Sequence, residues 1–153
     1  MTDVLPPPAA DAPAGLRLLV DGLRSGAPRP GVAELLGMSF DLVEEGTVVF
    51  SAEANPSFSN PMGTVHGGIV ATLLDSALGC AAQTVLGERK AYTTVSLELK
   101  YLRSIPLDAG RLRAEGRVVH AGRKQITAEG ELTDESGKVL ATATTTCLVL
   151  DFG

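Results

Sequence analysis

Asn60-Pro61-Met62-Gly63-Thr64-Val65-His66-Gly67-Gly68 runs straight into Ile69-Val70-Ala71-Thr72-Leu73-Leu74-Asp75-Ser76-Ala77-Leu78-Gly79-Cys80-Ala81-Ala82, and the reading of this stretch decides the fold. Its first half is a polar, glycine-rich loop. Its second half reads as a helix from about Gly67 to Val85, ended by Gly87. That helix is apolar on nearly every side, the pattern of a buried helix rather than a surface one. One carboxylate, Asp75, sits inside it. A buried charge is costly unless it is paired or hydrogen-bonded, so Asp75 marks a candidate functional position.

On the N-terminal side, Met38 to Val43 and Thr47 to Ala54 read as two strands joined by a turn at Glu44-Glu45-Gly46. Asn55 to Val65 is a loop rich in Pro, Ser, Asn and Gly. Beyond the helix the pattern changes to alternation. In Tyr92 to Leu102, Val95, Leu97, Leu99 and Tyr101 share one face, and Ser96, Glu98 and Lys100 the other. Arg111 to His120, Lys124 to Thr133 and Val139 to Leu150 read as three more strands. Short turns at Pro106-Leu107-Asp108-Ala109-Gly110, Ala121-Gly122-Arg123 and Asp134-Glu135-Ser136-Gly137 imply that these four strands form an antiparallel meander. The expected class is α+β: one curved antiparallel sheet wrapped around a long central helix.

Residues 1 to 14 carry four prolines among alanines and predict a mobile, extended leader. Leu16, Leu18, Leu19, Val20 and Leu23 predict a short amphipathic helix over Gly15 to Ser25, with Gly26 at its C-terminal cap. Pro30-Gly31 opens a second, Val32 to Leu36, closed by Gly37. Residues 15 to 37 are thus two packing helices ahead of a main domain over 38 to 153.

The chain of 153 residues suits one domain with one core. A formal net charge of −5 and the lack of any Lys/Arg run argue against a nucleic-acid partner. No segment has the length of apolar residues needed to span a membrane. The N-terminus lacks the basic and apolar regions of a signal peptide, which places the expectation in the cytoplasm. Cys80 and Cys147 read as buried free thiols in a reducing compartment. Two His and two Cys at these spacings do not form a metal site.

Two glycines at a helix start leave backbone N–H groups pointing outward, with the helix dipole adding partial positive charge. Gly67 and Gly68 are therefore a candidate oxyanion site, or else simply permit a tight turn. Asp75 suits general-base or nucleophile work. Helical rise separates Gly67 from Asp75 by roughly 12 Å along the axis. One carbonyl group cannot meet both in a single chain. If both act on one substrate they come from two chains, with antiparallel helices related by a two-fold axis. His66 is either a loop-fixing or a catalytic residue. His120, near a turn, reads as solvated. Arg103, Arg123 and Lys124 are either solvated charges or the local basic groups a polyanion would need.

Asn60-Pro61-x-Gly63-Thr64-x-His66-Gly67-Gly68, followed by an apolar helix with Asp75, resembles the hotdog-fold acyl-CoA thioesterases, most of all the phenylacetate-degradation (PaaI-like) type. Thr93-Thr94-Val95, Tyr101-Leu102-Arg103 and Gly122-Arg123-Lys124 extend the resemblance, which covers roughly Met38 to Leu150. It implies a hotdog fold and a homodimer, commonly paired again into a tetramer. It also implies hydrolysis of an acyl-CoA thioester without metal or bound cofactor. On this resemblance Gly67 donates its N–H to the thioester carbonyl, and Asp75 of the partner chain activates water or attacks directly. Asn60 and His66 position substrate or water. Thr94 supplies a hydroxyl near that water, with Thr93 as the off-by-one alternative. Gly68, Arg103, Arg123 and Lys124 are candidate substrate or CoA contacts. Some relatives place a Thr one turn after the acid, where this chain has Gly79. The acyl group is either aryl or medium aliphatic. The rival expectations are a non-catalytic acyl-CoA-binding or sensing module on the same scaffold and an enoyl-CoA hydratase.

Overall fold

A computed structural model describes residues 5–27 and 31–153 of the chain. Pro30, expected to open the second short helix, lies outside them. The elements are α1 (Ala14–Arg24), α2 (Val32–Leu35), β1 (Ser39–Glu44), β2 (Thr47–Glu53), a 3₁₀ turn (Pro56–Phe58), α3 (Gly67–Thr84), β3 (Lys90–Tyr101), β4 (Arg111–Ala121), β5 (Gln125–Thr133) and β6 (Val139–Asp151).

The six strands form one sheet in the order β1-β2-β4-β5-β6-β3, with every neighbouring pair antiparallel. The expected four-strand meander holds only for β4, β5 and β6. β3 pairs with β6 at the far edge instead of with β4. The reason lies in the segment between β3 and β4, which is no hairpin. Ile105 accepts a backbone hydrogen bond from Val65, and Pro106 bridges to Thr64, so this segment crosses the end of the sheet and clamps the loop that leads into α3.

α3 lies in the concave face and contacts every strand. Leu73, Leu74, Ala77, Leu78 and Ala81 on it are fully buried, against Phe50, Leu112 and Leu132 from the sheet. The closest approach is made where the sheet has no side chain. A Cβ at Gly116 would lie 2.5 Å from the Ala77 carbonyl carbon, and one at Gly130 would be 3.2 Å from a Leu78 methyl. Helix backbone therefore rests almost directly on strand backbone.

The helix runs as far as the sequence predicts, to within one residue of Val85, but the contact that closes it lies ahead of Gly87. The helix ends at Thr84, with Val85 as its C-cap. The buried Thr84 hydroxyl donates to Ala81 O and accepts from the Gly46 N–H in the β1–β2 turn. Gly46 takes φ +78° there, a conformation that suits glycine. A buried threonine thus closes the helix that sequence assigns to a glycine stop.

α1 packs on the C-terminal half of α3, with Leu16 and Val20 inside the common core and Gly15 donating to Leu86 O. Leu18, expected on the apolar face, is 68% exposed. Ahead of α1, in the expected leader, Leu5 and Ala12 lie against the core, Arg24 donates to Leu5 O and Arg17 to Ala10 O.

Gly116→Ala should lower stability by about 2 kcal/mol, since the added methyl has only helix backbone to move against. Urea unfolding would show it as a lower midpoint at unchanged slope, and an unshifted midpoint would contradict the close contact.

Candidate active site

Asp75 lies on the half-buried side of α3, next to the edge strand β3. Its Oδ1 accepts a hydrogen bond from Thr94 Oγ1 at 3.0 Å. The choice of Thr94 over Thr93 follows from a bulge. β3 and β6 run in step up to Thr94–Cys147 and resume at Ser96–Thr146, so Val95 is an extra residue in β3. Inserting one residue reverses the inward–outward alternation on one side of it. Leu97 and Leu99 face the core after the bulge, Thr94 faces it before, and Val95 is 60% exposed. The simple alternation read from sequence, with Val95 on the Leu97 face, fails at this residue. Thr93 points to the exposed side, away from Asp75.

Behind the Asp75–Thr94 pair lies a layer of Cys147, which the sequence marks as a buried free thiol without placing it here, and Tyr92, which it does not mark. Cys147, fully buried, is the β6 partner of Thr94. Burial pushes its thiol above the ordinary value and the Asp75 carboxylate adds to this, while contacts with Thr145 and Thr94 pull the other way. The Tyr92 phenol lies on Gly79, one turn after Asp75, so closely that any Cβ at 79 would overlap its hydroxyl. Burial, then the neighbouring Cys80, Asp75 and Cys147, hold that phenol well above its usual ionisation range. Both groups stay neutral beside the carboxylate. A glycine inside a helix is a signal for such a close approach, but it does not say which side chain approaches.

The loop before α3 is held by its own side chains. Asn60 Oδ1 accepts from the Met62 and Thr64 N–H groups, and its Nδ2 donates to Thr64 Oγ1 at 2.8 Å. His66 is the N-cap of α3, with Nδ1 accepting from the Gly68 N–H at 2.9 Å. A ring nitrogen that accepts is unprotonated, so the neutral imidazole carries its proton on Nε2. The cap also separates the two glycines, which sequence treats alike. The Gly68 N–H is occupied by His66, whereas the Gly67 N–H meets no acceptor among the described residues. Of the two glycines, only Gly67 has a backbone N–H open to a ligand.

Gly67 opens on a groove of about 400 Å³ shared with Asn60, Met62, Tyr101 and Arg103. Arg123 and Lys124 lie elsewhere, in the exposed β4–β5 turn, which the register places beside Leu148 and the Thr93 end of β3. The expected residues therefore form two groups on one chain. Asn60, His66, Gly67 and Arg103 gather at the N-terminal end of α3, while Arg123 and Lys124 belong to the end of the sheet nearer Asp75 and Thr94. A second groove of similar volume runs along the convex face, lined by Glu98, Lys100, Arg117 and Glu129. It holds no nucleophile set against a buried layer, and Arg117 and Glu129 are paired with each other.

The family model of the thioesterase superfamily matches residues 62–141. A phenylacetic acid degradation-related protein of Ralstonia eutropha JMP134 is 35% identical, with TM-score 0.73 over 82% of this chain and 94% of that one. The 1,4-dihydroxy-2-naphthoyl-CoA hydrolase of Listeria monocytogenes is 26% identical over 78% of this chain and 95% of its own. The proofreading thioesterase EntH of Klebsiella pneumoniae is 29% identical over 67% and 74%. The PaaI protein of E. coli shares the fold, with TM-score 0.77 over 89% of this chain and 94% of that one at 20% identity. The chain belongs to the thioesterase superfamily. Its curved sheet around one long helix is the hotdog fold, and its class of chemistry is thioester hydrolysis. Among the described residues, no helix is long and apolar enough to cross a membrane.

Cys147 should resist alkylation in the native protein, because the thiolate is the reactive form and this thiol is both buried and held protonated. Peptide mapping after iodoacetamide at pH 8 should find it modified only once the chain is unfolded. Native labelling at a rate typical of a free thiol would contradict this packing.

Proposed function

We propose that the protein is an acyl-CoA thioesterase whose two active sites each form across a two-fold dimer. The observation that carries this reading is Asp75: a carboxylate on a buried apolar helix, oriented by Thr94 and backed by groups that stay neutral. Gly67, roughly 12 Å away along the same helix, is too distant to serve the same substrate from the same chain. A partner helix running antiparallel brings its Gly67 to this Asp75. The two groups of basic residues also fit, since Arg103 then accompanies Gly67 of one chain, and Arg123 and Lys124 accompany Asp75 of the other. These are the side chains offered to the CoA phosphates. Pairing of two such dimers gives the tetramer.

In the reaction, the substrate carbonyl oxygen accepts from the Gly67 N–H at the positive end of the α3 dipole. By the general-base route, Asp75 takes a proton from water as its oxygen bonds to the carbonyl carbon. The tetrahedral oxyanion collapses, the C–S bond breaks, and the CoA thiolate leaves to be protonated. By the nucleophilic route, Asp75 forms a mixed anhydride that water then opens. After single turnover in ¹⁸O-water, label in the Asp75 carboxylate would exclude a pure general-base route. Asn60 and His66 act by fixing the loop and the helix start that aim Gly67, and the His66 Nε2–H is available to a bound water or carbonyl. The names of two relatives, a 1,4-dihydroxy-2-naphthoyl-CoA hydrolase and a phenylacetic acid degradation-related protein, support an aryl-acyl thioester as substrate over a medium-chain aliphatic one.

Asp75→Asn should lower kcat by at least about a hundredfold, the scale of a lost general base, while the melting temperature and dimer mass stay unchanged. Thiol release from a panel of short, medium, long and aryl acyl-CoAs tests this. Turnover by the variant close to the parent would remove Asp75 from the mechanism.

A further inference from the structure

Two adjacent glycines at a helix start are conformationally loose, yet an oxyanion donor is effective only if it is aimed before the charge develops. The structure holds Gly67 from both sides. The peptide before it is fixed by the Ile69 N–H, which donates to His66 O at 2.9 Å. The peptide after it is fixed at both ends. Its N–H, on Gly68, meets His66 Nδ1, and its carbonyl, on Gly67, accepts from the Tyr101 hydroxyl at 2.9 Å. The Tyr101 ring also fills the space beside Gly67, with ring atoms 3.2 to 3.3 Å from where a Cβ would stand.

We propose that Tyr101 is a positioning residue: by donating to the Gly67 carbonyl it locks the peptide that follows Gly67 and so aims the Gly67 N–H at the thioester oxygen. This rests on the thioesterase reading given above. Tyr101 ends β3, the same strand that presents Thr94 to Asp75. In the two-fold dimer one strand then sets the carboxylate of one site and the oxyanion donor of the other. Tyrosine suits the task because its ring blocks side-chain space at 67 while its hydroxyl reaches a helix carbonyl over the end of the strand.

Tyr101→Phe keeps the ring and removes only the donor. It should lower kcat about tenfold, the effect of losing one well-placed hydrogen bond, with KM for acyl-CoA within about twofold and the melting temperature nearly unchanged. A second readout is independent of turnover. A ¹³C-labelled ketone analogue of an acyl-CoA, with CH₂ between carbonyl and sulfur, reports the hydrogen bond to its carbonyl by infrared difference spectroscopy. Bound to the parent, the band should be narrow and shifted to lower wavenumber than in the free analogue. Bound to Tyr101→Phe it should broaden and move back up. A variant with the parent's kcat and carbonyl band, whatever its melting temperature, overturns the assignment of Tyr101 and leaves the thioesterase reading intact. A parent enzyme that releases no thiol from any acyl-CoA overturns that reading itself, and this inference with it.

Discussion

The contact on which the rest of the structure depends is backbone against backbone, where α3 crosses β4 at Gly116, with a Leu78 methyl seated over Gly130 of β5 beside it. Helix and sheet packed through side chains sit about 10 Å apart and tolerate some sliding. Here the absence of two side chains lets the helix sink into the sheet, and close-packed backbones cannot slide past one another without collision. The axial position and rotation of α3 are thereby fixed. So is the direction in which Asp75 leaves the helix, and Thr94 can meet it across a gap of a single hydrogen bond. The clamp of Ile105 and Pro106 on the preceding loop fixes the N-terminal end of the same helix. Both ends of the candidate site are thus referred to one rigid frame.

Much of this was legible in the sequence because it is written as periodicity and punctuation. An apolar helix with one acid, preceded by His-Gly-Gly, stood out without any coordinates. So did the two strands before it and the three long strands at the C-terminus. What escaped was whatever depends on contact between distant segments. Gly87 looks like a helix stop, but the stop is Thr84, whose hydroxyl is satisfied by a turn thirty-eight positions away. β3 looks like the first strand of a meander, but a nine-residue connection carries the chain across the sheet before β4 begins.

The candidate site divides the same way. Gly67 and Gly68 are chemically identical in the sequence, and only the His66 cap distinguishes the occupied N–H from the open one. Thr93 and Thr94 are likewise identical in type; the resemblance favours Thr94, and the strand register gives the physical reason. Tyr92 and Tyr101 lie at opposite ends of a strand; Tyr92 carries no local signature, and Tyr101 enters only through the strand's alternation and as part of the Tyr101-Leu102-Arg103 resemblance, with no role attached. Their meaning comes from the glycines they press against, Gly79 and Gly67, which belong to another element. Residue type identified the helix and its acid. Register and close approach identified what orients them.

The bulge at Val95 has a counterpart at the other open edge of the sheet. β1 carries one extra residue, Asp41, between the pairs Phe40–Phe50 and Leu42–Val49. The two strands with an unpaired side, β1 and β3, are therefore both interrupted. An exposed strand edge is a template for any other extended chain, and an irregular ladder is a poor template. The inserted residue that turns Thr94 toward the carboxylate also spoils the longest free edge of the protein for indiscriminate strand addition. Resistance to aggregation is thereby tied to the same local geometry that sets Thr94 against Asp75.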